Sequence, residues 1–408
     1  MKSYLILFKG NKNFRLLVMA KFLSDLGSQI QRFGLPWLVY KYTSSGSLMA
    51  FNFTLTLLPG LLFGFIGGQT SDNINKRKIL LFGDLLSCFV TVVLYFLSYF
   101  NFNMNTSVIY VFILTFLLSS ISSFYSPAFT SIIPNIVSKK DIVEANSIFS
   151  VFDSIASLIG PVIATLVISL LGAWITLLFN SLSFAISAIL IWIMKVDNVI
   201  NNISIERYHF RINFPYVSRI LNEFSWLKFF IYIMGIFYIA LGCVGSLLQY
   251  YFINNLHLKG IALGSTFVLF EFFPVLGASF CVIYFIRKLK YRLVITISVA
   301  IFSLSLVGMG ITNNYLIVVI SGIVQNFFGT IALISWSSIR QERIPKGKLG
   351  IVSGIGVTLQ ACLEPVGGII SSILLSMTNV QIILICSGLI CFFFAIFIYA
   401  FSLRDLIE

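Results

Sequence analysis

Residues 79–100 read ILLFGDLLSCFVTVVLYFLSYF and residues 382–401 read IILICSGLICFFFAIFIYAF. At about 1.5 Å per helical residue, each run is long enough to cross a hydrocarbon core roughly 30 Å thick. Comparable runs recur along the whole chain, so the solvent is lipid and only helices fit. Composition agrees. Of 408 residues, 58% are hydrophobic and 10% charged, a balance that a water-soluble domain of this size does not keep.

Working outward from these runs, the first half reads as spans over about 14–40, 46–66, 79–99, 107–126, 144–171 and 173–194. The second half mirrors it at about 226–252, 261–286, 293–312, 315–338, 349–377 and 380–402. The expected fold is all-α and integral to the membrane, with twelve transmembrane helices. Residues 1–194 form an N-terminal six-helix bundle, 195–225 a polar linker, and 226–408 a C-terminal six-helix bundle. The first apolar segment is one of many, so no cleavable signal is expected.

The formal charge of +13 does not imply nucleic acid, because the basic residues mark one membrane face. Of 27 Lys and Arg, 22 fall in loops on one side, including Lys76, Arg77 and Lys78, Lys139 and Lys140, and Arg340, Arg343, Lys346 and Lys348. Only Lys41 and Lys259 fall in loops on the other, while Lys21, Arg32 and Lys228 lie within or beside spans. The positive-inside rule then places both termini and the linker in the cytoplasm. The six cysteines (Cys88, Cys243, Cys281, Cys362, Cys386, Cys391) all sit in apolar runs without paired spacing. They read as buried, reduced thiols rather than as a disulfide framework or a zinc site.

The two halves look like parallel repeats. Short basic loops follow the second and eighth spans, and Ile133-Pro134 is echoed by Ile344-Pro345, each leading through a basic loop into a Gly-rich span. Two such repeats are the architecture of a rocking carrier with its site between the halves.

After the second span comes Gly68-Gln-Thr-Ser-Asp72-Asn-Ile-Asn-Lys76-Arg77-Lys78, which resembles the signature loop of the major facilitator superfamily, G-x-x-x-D-R-x-G-R-R. Asn73 and Asn75 stand where that loop usually has Arg and Gly. Ile79-Leu-Leu-Phe-Gly-Asp84-Leu and Leu35-Pro36-Trp37-Leu-Val-Tyr40 look like the drug-efflux branch that includes macrolide-efflux proteins and the enterobactin exporters. So do Ser126-Pro127-Ala128, Glu144-Ala-Asn146-Ser147 and Gly160-Pro161. The resemblance implies alternating-access export of a small amphipathic compound (a macrolide-like drug, a siderophore or a peptide antibiotic) by proton antiport, in a bacterial plasma membrane. In that family the acid of the signature loop helps latch the halves at the cytoplasmic side, which assigns Gly68, Asp72 and Arg77 to a latch. The fourth span has no arginine, and Gly160-Pro161 is followed by Val162-Ile163-Ala164 instead of a second glycine, so the antiporter features are only half present.

Charges inside bilayer helices are costly and mark functional candidates. Asp25, Asp153, Glu271 and Glu364 lie about 13 to 22 Å into their spans, inside the hydrocarbon zone. Away from water the charged form of an acid is disfavoured, which suits a proton-coupling group. The alternative is that these acids pair with Lys or Arg and only hold helices together. On the first span Lys21, Asp25, Gln29 and Arg32 share one face. Arg32 needs a partner on another helix or receives an anionic substrate. Gln29, Arg32, Gln249, Gln325 and Gln360, with Phe33, Trp37, Tyr250, Phe270 and Trp336, are the candidates for lining a cavity that suits flat or lipophilic ligands. Helix packing is the competing role for the aromatic residues. Gly160, Pro161 and Pro365 are expected to let helices bend during gating.

Rival functions fare worse. Only His209 and His257 are available to a membrane-embedded enzyme, without a partner acid at site spacing, and no phosphate-binding glycine loop precedes a Lys. No cofactor or metal is expected. A channel fits the paired halves poorly, which leaves a lipid or lysophospholipid flippase as the runner-up. The expected partners are the substrate, protons and the bilayer, and the chain is expected to act as a monomer.

Overall fold

The computed structural model describes residues 7–100, 104–138, 141–195, 223–344 and 346–404. Among them are twelve long helices: α1 (Lys12–Thr43), α2 (Gly46–Asn73), α3 (Lys76–Tyr99), α4 (Met104–Ile136), α5 (Ile142–Leu171), α6 (Trp174–Ile193), α7 (Ser225–Asn254), α8 (Gly260–Lys288), α9 (Tyr291–Ile311), α10 (Tyr315–Arg343), α11 (Lys346–Leu375) and α12 (Val380–Arg404). Ten of them are long and apolar enough to cross a membrane. α1 is not one of the ten, and α8 qualifies only as a shorter apolar segment, Gly260–Glu271. In α1 the charges Lys12, Arg15, Lys21, Asp25, Arg32 and Lys41 dilute the run.

Four of the helices start where the sequence offers caps. Asn11, Ser45, Asn75 and Asn314 each accept a backbone N–H from the first turn they precede. α5 stops at Gly172, whose φ of +93° suits only glycine. α4 departs most from expectation, running on through Pro127 and Pro134 to Ile136. Ser131 Oγ donates to the Pro127 carbonyl at 2.7 Å and Thr130 Oγ1 to the same oxygen at 3.0 Å.

The chain divides into two compact units, Met1–Asn202 with Leu258–Val268, and Ile203–His257 with Leu269–Glu408. The first turns of α8 thus pack with the first unit, where a Cβ on Gly264 would stand 2.9 Å from the Pro161 carbonyl. Most of the expected linker lies outside the described residues.

Four helix pairings recur between the units. In the first, α1 packs on α5 and α6, and α3 packs on α4 and α6. In the second, α7 packs on α11 and α12, and α9 packs on α10 and α12. The second set is the first shifted by six helices, as parallel repeats require. Side chains also tie helix ends together. Asn11 Nδ2 donates to the Ile136 carbonyl, Asn13 exchanges two hydrogen bonds with Lys195, and Arg77 donates to the Ile191 and Trp192 carbonyls. The starts of α1 and α3 therefore lie at the same end of the unit as the ends of α4 and α6, and that end carries the basic residues.

Two apolar clusters fill the first unit. Phe14, Leu17, Leu80, Phe129, Ile132, Ile148 and Ile191 form one at the basic end, and Leu35, Leu38, Leu94, Val111 and Leu177 form the other. Large apolar side chains also face outward, Phe89, Leu170, Trp192 and Phe393 among them, a surface that lipid accepts and water does not. All six cysteines are free thiols. Cys243 and Cys391 are buried as expected, whereas Cys386 is exposed on α12, where lipid rather than protein packing covers it.

Candidate functional site

The polar stripe of α1 runs between the two apolar clusters. Lys21 Nζ forms an ion pair with Asp25, the two side chains being 30% and 18% exposed, and lies 5.3 Å from the centre of the Phe129 ring of α4. The i, i+4 spacing seen in the sequence thus becomes a contact inside the span. One turn further on, Gln29 Nε2 donates to Ser157 Oγ of α5 at 3.3 Å. A Cβ on Gly160 would stand 2.5 Å from Gln29 Cβ, so glycine is what lets α1 and α5 approach here. Pro161 follows within α5, and its carbonyl accepts from Thr165 Oγ1 at 2.9 Å. Arg32 ends the stripe, exposed at the surface of the unit. Asp153 on α5 is also exposed, within electrostatic range of Asp25.

Buried polar groups absent from the candidate list surround this stripe. Asp84 of α3 is 1% exposed and accepts from Ser187 Oγ of α6 at 2.5 Å. Lys21 and Asp25 are within its electrostatic range. Gln31 accepts from Asn180 Nδ2, and Ser183 Oγ donates to the Asn180 side-chain oxygen at 3.0 Å. The signal for Asp84 was in the sequence: Leu80, Asp84, Ser87 and Thr91 recur at helical spacing, and all four are buried.

In the second unit, Glu364 of α11 accepts from Gln360 Nε2 at 3.2 Å, so these two candidates meet as their spacing implied. Pro365, next in line, is buried in α11. Tyr238 of α7 lies within electrostatic range of both Glu364 and Arg340. Arg340 lies over the Trp336 ring at 4.5 Å. Glu271 is exposed on α8.

The aromatic candidates divide. Phe270 is fully buried, 5.0 Å from Phe252 and hard against Gly322, so in this conformation it fills the unit's interior rather than a cavity wall. Trp336 is 1% exposed and stacks on Phe230 at 5.8 Å. Gln325 is also buried. Phe33 packs edge-on against Phe267 at 4.7 Å. Trp37 (beside Tyr40), Gln249 and Tyr250 are half-buried and remain accessible.

Of the latch group, Gly68 has open space where a Cβ would stand, and the Asp72 side chain lies outside the described set. Arg77 Nε donates to the Ile191 carbonyl at 3.0 Å, which engages it at the end of α6. Among the described residues no cluster of three or more His, Cys, Asp or Glu is placed to hold a metal.

Helices long enough to span a bilayer, two units with the same internal packing and charged groups inside apolar helices define a membrane transporter of the major facilitator type. Known structures share the fold. A bacterial homologue of the iron transporter ferroportin, in an inward-facing state, superposes with a TM-score of 0.75 at 13% identity, over 95% of this chain and 98% of that one. The nucleoside transporter NupG gives 0.74 at 13% identity over 97% and 100%. A D-xylose–proton symporter gives 0.69 at 12% over 95% and 96%. The chain belongs to the transmembrane secretion effector family, which it matches over residues 8–407. Two curated relatives match in part, each over less than half of its own length. The staphyloferrin A transporter of Staphylococcus aureus (strain NCTC 8325 / PS 47) is 29% identical over 42% of this chain and 43% of its own. The MFS-type transporter YkuC of Bacillus subtilis (strain 168) is 24% identical over 44% and 41%.

Proposed function

We propose that this transporter exports small amphipathic compounds across a bacterial plasma membrane by alternating access, driven by proton entry. In this reading all twelve helices cross the bilayer, both termini are cytoplasmic, and Gly68 and Asp72 serve the latch while Arg77 braces α6. The observation that carries the coupling is the Lys21–Asp25 ion pair, a charged pair on α1 between two apolar clusters. Such a pair is costly in a bilayer, and a proton or a cationic substrate that competes for Asp25 would open it. Export is supported by the family, whose members are described as secretion effectors. The substrate classes are a macrolide-like drug, a siderophore or a peptide antibiotic, and staphyloferrin A, for which the Staphylococcus aureus relative is named, is the first compound to test.

The test is uptake into everted membrane vesicles of staphyloferrin A and of ethidium, with and without an uncoupler. The expected result is uphill uptake that the uncoupler abolishes and that Asp25→Asn and Glu271→Gln impair. Uptake indifferent to uncoupler would refute proton antiport. Full uncoupler-sensitive uptake by both variants would remove those two acids from the coupling role. Movement of a fluorescent lysophospholipid in place of both solutes would favour the flippase.

A further inference from the structure

Asp84 is more deeply buried than Asp25 and has less to neutralise it. Its surroundings can be named helix by helix. From α6, Ser187 donates its hydroxyl proton to Oδ2 at 2.5 Å and is itself fully buried. From α4 comes Tyr125, because α3 and α4 approach closely at Gly83, where a Cβ would lie 3.0 Å from the Tyr125 ring. The Tyr125 hydroxyl is buried beside Ser187 and within electrostatic range of both Asp84 and Asp25, without a hydrogen bond of good geometry. From α1 come Lys21 and Asp25, which are paired with each other. Asp153 of α5 acts on Asp25. On α3 itself Cys88 lies one turn beyond Asp84, and Arg77 is turned away to the end of α6.

The charge balance is then simple. Lys21 is the one cation of this cluster among the described residues, paired with Asp25 and within electrostatic range of Asp84, while Asp153 is exposed at its edge. With both acids ionised, the interior carries an uncompensated negative charge that a single serine hydroxyl does not neutralise. One proton on Asp25 and Asp84 restores neutrality there, Asp153 being exposed. Because the lysine sits on Asp25, the proton belongs on Asp84. Tyr125 supplies a spare hydroxyl through which that proton can be relayed.

We propose that Asp84 is the proton-carrying group of this transporter and that Lys21 moves between Asp25 and Asp84 as the proton leaves and returns. In the observed arrangement Asp84 is a neutral acid and Lys21 holds Asp25. When Asp84 releases its proton to water, its carboxylate draws the ammonium across, and Asp25 is left on the α1 stripe without its partner. A proton arriving from the other side reverses the exchange, so one proton crosses per cycle and nothing else is consumed. The inference rests on the proton-antiport reading above.

The experiment uses the full chain reconstituted in lipid nanodiscs. Infrared difference spectra between acid and alkaline buffer, in light and heavy water, report the C=O stretch of a protonated buried carboxyl. The wild type is expected to show this band, Asp25→Asn to keep it and Asp84→Asn to lose it. A band lost in Asp25→Asn but kept in Asp84→Asn overturns the assignment, as does a wild type with no such band. Should Asp84→Asn aggregate, Ser187→Ala serves in its place: the band is expected to shift as its carbonyl loses a hydrogen bond, and an unmoved band counts against Asp84. Vesicle transport separates the two readings. If the wild type is indifferent to uncoupler, antiport fails whatever the spectra show. If the wild type is uncoupler-sensitive and Asp84→Asn still accumulates ethidium uphill, antiport stands and Asp84 is not its carrier. The expected phenotype of Asp84→Asn is at least a tenfold loss of uphill accumulation with downhill equilibration retained.

Discussion

Gly242 sets how closely α7 and α11 approach. A Cβ there would stand 1.9 Å from the Glu364 carbonyl oxygen, and one on Gly367 would stand 2.0 Å from that of Ile239, so the contact is reciprocal and made of backbone. Backbone does not yield as a side-chain tip does. Gly242→Ala is therefore expected to destabilise the protein by about 1–3 kcal/mol, the usual cost of overpacking a tight contact. Gly60 has open space around it, and Gly60→Ala is expected to stay within about 0.5 kcal/mol of wild type. Thermal unfolding of the two purified variants in one detergent checks the contrast, and equal melting temperatures would show that α7 and α11 have room to separate. The same close approach explains why Glu364 is held at its depth: its own backbone is wedged against the neighbouring helix.

At the scale of helices, apolar length was enough to place most boundaries within about three residues, since a span is bounded by water on both sides. What it could not place is the extra length of α4. The expected span ended at about residue 126, just before Pro127, whereas the helix runs on through both prolines to Ile136. Asp84 was missed for a related reason. Depth within a span was the criterion for the acids, but what makes Asp84 chemically interesting is Ser187, 103 residues away, and the lysine of α1. Conversely, Lys21 with Asp25 and Gln360 with Glu364 were legible because both partners sit one turn apart on the same helix. Arg77 shows what a motif alone leaves out. The loop resemblance assigned it to a latch, while the fold engages it at the C-terminus of α6, where a cation meets unpaired carbonyls and the negative end of the helix. Arg77→Met is expected to cost roughly 0.5–1 kcal/mol and to loosen the last turn of α6. Hydrogen exchange of peptides covering Leu190 to Ile193 checks this, and unchanged protection would show that the carbonyls are satisfied without the arginine.

For the molecule as a whole, the partner sets repeated between the units agree with the charge asymmetry of the sequence. The hydrogen bonds of Asn11, Asn13 and Arg77 put the start of α1 and the end of α6 at one end of the first unit. In the second unit, Tyr291 at the start of α9 donates to Glu342 at the end of α10, and Arg292 lies over Phe229 of α7 and Tyr399 of α12. Each unit thus begins and ends on its own basic face. If those faces are cytoplasmic, the loop between α7 and α8 is outside and the loop between α8 and α9 is inside. In a background with the six native cysteines replaced, Lys259→Cys is expected to react with a membrane-impermeant maleimide on intact cells. Leu289→Cys is expected to react only after permeabilisation. The positive-inside bias of 22 basic residues against 2 makes the reverse pattern the informative failure, because it would invert the direction of transport along with the topology. Reaction of both positions from outside would instead mean that α8 does not cross, and that its charged residue, Glu271, is not in the bilayer at all.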